Sequence, residues 1–199
     1  MKVKIKRENH IYADELPGRD MRLKEITKVV CPILHVGLFF LIIYLWFPSY
    51  YNKFAVVVAV DLFEVATGEI TSIAAGIGMG LNPIIVAVFV SYIESSISLF
   101  VAVNFDLLKK LPKAGEQIIK YENKMKTYTE TKKWLKSAGF LGISVIASIP
   151  FYGTGAVPST ILGRLLGMGW KKSWLAVSMG IFLRSMLISL LLYLGYLTI

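Results

Sequence analysis

This 199-residue sequence holds one cysteine, Cys31, and two histidines. A single cysteine excludes an intrachain disulfide and any cysteine-based zinc site. No HExxH motif and no aspartate cluster occurs. The groups that membrane lipid phosphatases and alcohol phosphatidyltransferases need are therefore missing. No metal, no cofactor and no catalysis is expected. Apolar residues are also scarce at the start. MKVKIKRENHIYADELPGRD is polar, and no apolar run begins before position 29. A secretory signal peptide turns apolar sooner, so residues 1–28 read as a cytoplasmic arm.

Apolar residues are abundant everywhere else. They make up 55% of the chain, and the mean hydropathy is +0.61. A soluble domain is about 45–50% apolar. The excess lies in blocks, which is the membrane signature, and a single polytopic membrane domain over 29–199 is expected. The formal charge is +9, but its placement argues against nucleic acid. Of 22 basic residues, eight lie in 1–28 and nine in 104–137. Both segments flank apolar blocks, as cytoplasmic segments do under the positive-inside rule. Contact with anionic membrane lipids follows from the same placement.

Five apolar blocks can be drawn. Those at 29–47, 84–103 and 173–199 suit single spans of about 20 residues. Those at 54–81 and 138–169 are 28 and 32 residues long. That is long for one span and short for two spans with a turn. Both break in the middle, the first at Ala66-Thr67-Gly68 and the second at Pro150, Gly153, Thr154, Gly155 and Pro158. Half a bilayer takes about 10 helical residues, so each long block reads as a re-entrant helical hairpin.

Charge parity leads to the same reading. With the basic N-terminus in the cytoplasm, the block at 29–47 exits. If 54–81 and 84–103 both crossed, the nine lysines of 104–137 would lie outside. A hairpin at 54–81 that returns to the outer side puts them inside. Lys171 and Lys172 require the same of 138–169. The expected fold is all-α and integral to the cell membrane. Three transmembrane spans and two opposed re-entrant hairpins form an inverted repeat, with the N-terminus cytoplasmic and the C-terminus outside. Thr67-Gly68 resembles Thr154-Gly155, and Gly78-Met79-Gly80 resembles Gly167-Met168-Gly169. A two-residue gap between the matches places Ser95 opposite Arg184.

Six ionisable residues lie within the apolar blocks: Asp61, Glu64, Glu69, Glu94, Arg164 and Arg184. Each costs on the order of 3 kcal/mol at a bilayer centre. They must face one another, a water-filled cavity or a polar substrate, as the groups of a transport pathway do. An acid withdrawn from water binds and releases protons closer to neutrality. Glu64 and Glu69, with Asp61 three residues before Glu64, are the proton candidates. Arg164 and Arg184 suit an anionic head group. Structural pairs, Glu94 with Arg184 or the acids with Arg164, account for the same residues. His35 reads as a packed, hydrogen-bonded side chain, and Cys31 as a small packing residue.

Pro150, Gly153–Ala156 and Leu166–Gly169 together resemble the so-called small multidrug export protein family, which is similar to a distant branch of the DedA and VTT membrane proteins. The resemblance covers residues 54–199. It implies opposed re-entrant hairpins and the transport, flipping or scrambling of lipids. The implied partners are anionic phospholipids or polyprenyl phosphates, with protons as a coupling ion. It also implies acids in the first hairpin, matched by Glu64 and Glu69, and arginines in the second half. Two departures stand out. Val65-Ala66-Thr67-Gly68 replaces a proline-rich turn before the second acid, and Arg164 follows the second turn instead of preceding it. A homo-oligomer is compatible with such a chain. The expectation is a small transporter or lipid translocator. The rivals are a noncatalytic scaffold or assembly protein, a channel, and a membrane-embedded lipid-modifying enzyme.

Overall fold

A computed structural model describes residues 19–63, 68–110, 115–116, 118–119, 134–150 and 155–197. Its helices are α1 (Arg19–Trp46), α2 (Pro48–Phe63), α3 (Gly68–Gly78), α4 (Pro83–Leu108), α5 (Trp134–Ser148), α6 (Ala156–Leu165) and α7 (Trp170–Leu197). No strand occurs among the described residues, in line with the all-α expectation. Three segments are long and apolar enough to cross a bilayer: Ile26–Trp46, Pro83–Leu108 and Trp170–Gly195. The other helices are too short to do so alone. At 1.5 Å per residue, α2 reaches about 24 Å and α6 about 15 Å, against about 30 Å of hydrocarbon.

Hydropathy located the helices better than their ends. α1 begins at Arg19, ten residues before the apolar block. Seven of its ten residues are Arg, Met, Leu, Lys or Glu, which are good helix formers. Backbone hydrogen bonding does not stop where lipid stops. α2 likewise begins at Pro48, at the first helical position, where a missing N–H costs nothing. α4 is capped by Asn82, whose Oδ1 accepts from the amides of Ile84 at 2.9 Å and Ile85 at 3.4 Å. Pro83 follows at the first helical position. α5 stops at Ser148, ahead of Pro150.

α3 and α6 end in the same turn. The amides of Met79, Gly80 and Leu81 donate to the carbonyls of Ala75, Ile77 and Gly76. Displaced by 87 residues, the amides of Leu166, Gly167 and Met168 donate to Leu162, Arg164 and Gly163. Gly80 and Gly167 both have φ of +77°, a conformation that a Cβ disfavours. The match therefore aligns Gly80 with Gly167, whereas the sequence comparison aligned Gly78 with Gly167. The two alignments differ by two residues, and the left-handed glycines are the equivalent positions of these two turns. The same displacement relates two close approaches. A Cβ on Gly76 would meet Val86 at 2.8 Å, and one on Gly163 would meet Ser173 at 3.1 Å. It also relates Gly68 to Gly155, with no gap.

α4 and α7 pack along their lengths and form the centre of the molecule. They run antiparallel. Ser189 Oγ, late in α7, donates to the carbonyl of Pro83 at the start of α4 (2.7 Å). Ser178, early in α7, shares a 2.6 Å hydrogen bond with Ser95. Small hydroxyls let backbones approach and tie helices together where lipid offers no hydrophobic drive. α2 and α3 pack on one side of this pair, with Phe54, Val57 and Ile73 buried against Val86, Phe89 and Val90. α5 and α6 pack on the other, with Ile143, Ala147 and Ala156 against Ala176, Val177 and Ile181. Outward faces are apolar too: Leu41, Leu45, Ile84, Leu141, Leu187 and Leu191 are all exposed.

Candidate functional site

Arg184 stands in the middle of α7 and is only 4% exposed. Its Nε is ion-paired with Glu69 Oε2. Its Nη2 lies 3.6 Å from Glu94 Oε2. Three helices thus converge on one guanidinium, since Glu69 belongs to the first turn of α3 and Glu94 to α4. Glu69 Oε1 also accepts from Ser185 Oγ at 2.6 Å. An acid in the first turn of a helix is favoured by the unpaired amides there.

Glu94 serves a second helix end. Its Oε2 accepts the amide of Ala156 at 3.1 Å. Ala156 is the first residue of α6, and its N-cap, Gly155, has no side chain to supply. The carboxylate of a neighbouring helix takes the place of the missing cap. Asp61 joins the cluster through Ser72. Ser72 Oγ lies 3.2 Å from Asp61 Oδ1 and 3.0 Å from the carbonyl of Glu69. Asp61 Oδ2 is buried without a hydrogen-bond partner. Two carboxylates therefore meet one guanidinium, and a third, Asp61, joins them through Ser72.

The expected site residues divide clearly. Asp61, Glu69, Glu94 and Arg184 come together. Arg164 goes elsewhere. At the end of α6, its Nη1 donates to the carbonyl of Met168 at 3.2 Å. Its guanidinium carbon stands 5.0 Å over Phe105, and Nη2 is 3.9 Å from Asp106, which is 71% exposed. The pairing of Arg164 with Glu69 that its sequence position allowed is replaced by Arg184, because Arg164 lies a full helix away from the start of α6. Glu64, Gly153 and Thr154 lie outside the described residues. Gly68 opens α3, Pro150 follows the end of α5 and Gly155 caps α6. Pro158 is in the first turn of α6 and not in the connection, since a residue without an amide proton is tolerated there.

Three other residues have clear surroundings. Ser95, matched to Arg184 in the repeat alignment, shares a hydrogen bond with Ser178 and accepts from Trp174 Nε1 at 3.1 Å. His35 is hydrogen-bonded as expected, with Nε2 3.0 Å from Ser96 Oγ and Tyr92 edge-on to its ring. Cys31, expected to pack, is exposed on α1.

The sequence model of the so-called small multi-drug export protein family matches residues 70–187, more than half of the chain. This chain belongs to that family. No curated protein and no solved structure matches it. With three spanning-length apolar helices, this family member is a multi-pass membrane protein. The matched stretch runs from α3 into α7 and contains Glu94 and Arg184. Glu69 falls one residue before it.

In this export-family chain, sequence reasoning passed over Ser72, Ser185 and the Ala156 amide. The two serines carried a signal, since each lies within one helical turn of a singled-out charge. The amide carried none, because any residue has one and only the fold brings α6 to Glu94.

Proposed function

We propose that this protein is a small proton-coupled transporter that moves an anionic lipid or small amphipathic anion through the Glu69–Arg184–Glu94 network. Two acids converging on one buried arginine, beside the amide end of α6, carry this reading. Three carboxylates with one guanidinium leave excess negative charge at membrane depth, where charge is costly. A proton on one acid relieves it. Protonation also loosens that acid's hold on Arg184 and, for Glu94, on the Ala156 amide. Both then offer their donors to an incoming phosphate or carboxylate. Loss of the proton restores the internal ion pair and expels the anion. The acid and the substrate thus compete for the same donors, and their coupling is reciprocal.

The surrounding fold in this proposal is an inverted repeat of two re-entrant hairpins, α2–α3 and α5–α6, each followed by a span, α4 and α7. Matching turns at an 87-residue displacement, short hairpin helices and an antiparallel α4–α7 pair all support it. Irregular backbone at membrane depth is tolerated where it meets protein or lines a cavity, and inverted repeats build binding sites there. Such an arrangement resembles that of DedA and VTT proteins. A cytoplasmic N-terminus and an external C-terminus complete the topology.

The test is transport in liposomes under a pH gradient, with a fluorescent anionic phospholipid and a small amphipathic anion as separate cargoes. Wild type moves one of them in a pH-dependent manner. Glu94→Gln and Glu69→Gln, scored on folded protein, abolish the pH dependence. Normal pH-dependent transport by both variants would falsify the mechanism.

A further inference from the structure

Away from the charge network, the end of α1 and the starts of α2 and α4 enclose a cleft of about 790 Å³. Ligand pockets commonly fall between about 300 and 1,000 Å³ and are mostly apolar. This one is walled by Phe39, Ile43, Tyr50, Phe54, Ile85 and Val88, with the Gly80–Asn82 turn at one end. Ile85 and Val88 are exposed. Two of the three contributing helices contain apolar segments of spanning length, so lipid chains are the natural medium beside its exposed apolar walls.

The rim carries a charge. Lys53 is the only lysine or arginine between Lys28 and Lys109. Its Nζ donates to the carbonyl of Met79 at 2.7 Å, next to Gly80 of the cleft, and stands 6.0 Å from the Tyr50 ring. An ammonium has three donors, and the Met79 carbonyl takes one. We propose that this cleft binds one anionic phospholipid, with an acyl chain in the slot and the head-group phosphate on Lys53. The apolar walls explain the chain, the lone ammonium at the rim explains the sign of the head group, and neither depends on the transport reading.

Native mass spectrometry of the full chain in mild detergent tests this, with phosphatidylglycerol and phosphatidylcholine of identical acyl chains. The wild type retains one phosphatidylglycerol about fivefold more strongly than phosphatidylcholine, equivalent to about 1 kcal/mol for one lysine at a membrane surface. Lys53→Gln removes the preference and leaves weak binding of both lipids, whereas Lys172→Gln, an equal loss of charge elsewhere, preserves it. Val88→Trp fills the slot and removes both lipids. Ile85→Trp does the same from the adjacent position if Val88→Trp fails to fold. Undiminished lipid retention in a folded, filled variant overturns the site. An unchanged preference in Lys53→Gln overturns the head-group assignment. A protein dimer that disappears in the filled variants, with no lipid bound in any, assigns the cleft to a second copy and overturns the proposal.

Discussion

Arg184 in α7 and Glu69 at the start of α3 form a buried ion pair across the two halves of the molecule. Ser185, the next residue of α7, holds the other oxygen of the same carboxylate. α7 thereby grips α3 at two successive positions. Removing the guanidinium strands Glu69 and Glu94 together, and an uncompensated buried charge costs about 3–5 kcal/mol. Arg184→Gln is expected to lower stability by that amount in detergent unfolding experiments. The double variant Glu69→Gln/Arg184→Gln should be more stable than Arg184→Gln alone, because it strands one fewer charge. Equal stability of the single and double variants would show that the pair contributes nothing.

Gly80→Ala and Gly167→Ala should cost nearly the same, about 1–2 kcal/mol each, because each places a Cβ on a left-handed residue. Beyond the adjoining residues of the chain, nothing lies within 4 Å of either added Cβ, so the cost is conformational. Thermal unfolding of the two variants side by side measures it. A large difference between them would mean that the two turns are not equivalent.

Gly76 tests packing in place of conformation. Its added Cβ would meet both γ-carbons of Val86 at 2.8 Å and one of Val57 at 3.2 Å. Overpacking of this kind costs about 1–3 kcal/mol. Gly76→Ala should therefore destabilise, and Val86→Ala added to it should recover part of the loss. A double variant no better than the sum of its singles would remove the contact as the cause.

The topology has its own test. A cysteine introduced as Lys120→Cys, on a background where Cys31→Ser has removed the exposed native thiol, should react with a membrane-impermeant maleimide only after the cytoplasmic face is opened. Labelling in intact cells would reverse the placement of the nine-lysine segment and the hairpin reading with it.

The sequence by itself determined the solvent. Its apolar blocks, interrupted by clustered lysines, leave only membrane as the place to bury that surface, and hydropathy depends on composition alone. Local residues such as Asn82-Pro83 and Pro150 also punctuate the helices through backbone geometry, although the turn at Gly80 came to light only in the structure. Partner choice was decided by tertiary structure. Arg164 and Arg184 are equally improbable in lipid and equally able to hold an acid. Only the antiparallel packing of α4 on α7, with α3 against α7, brings Arg184 to Glu69 and Glu94 and leaves Arg164 beside Phe105. The amide of Ala156 became a donor for Glu94 for the same reason. Whether a charge meets its counter-charge depends on distances between helices far apart in the chain, and no local pattern encodes those.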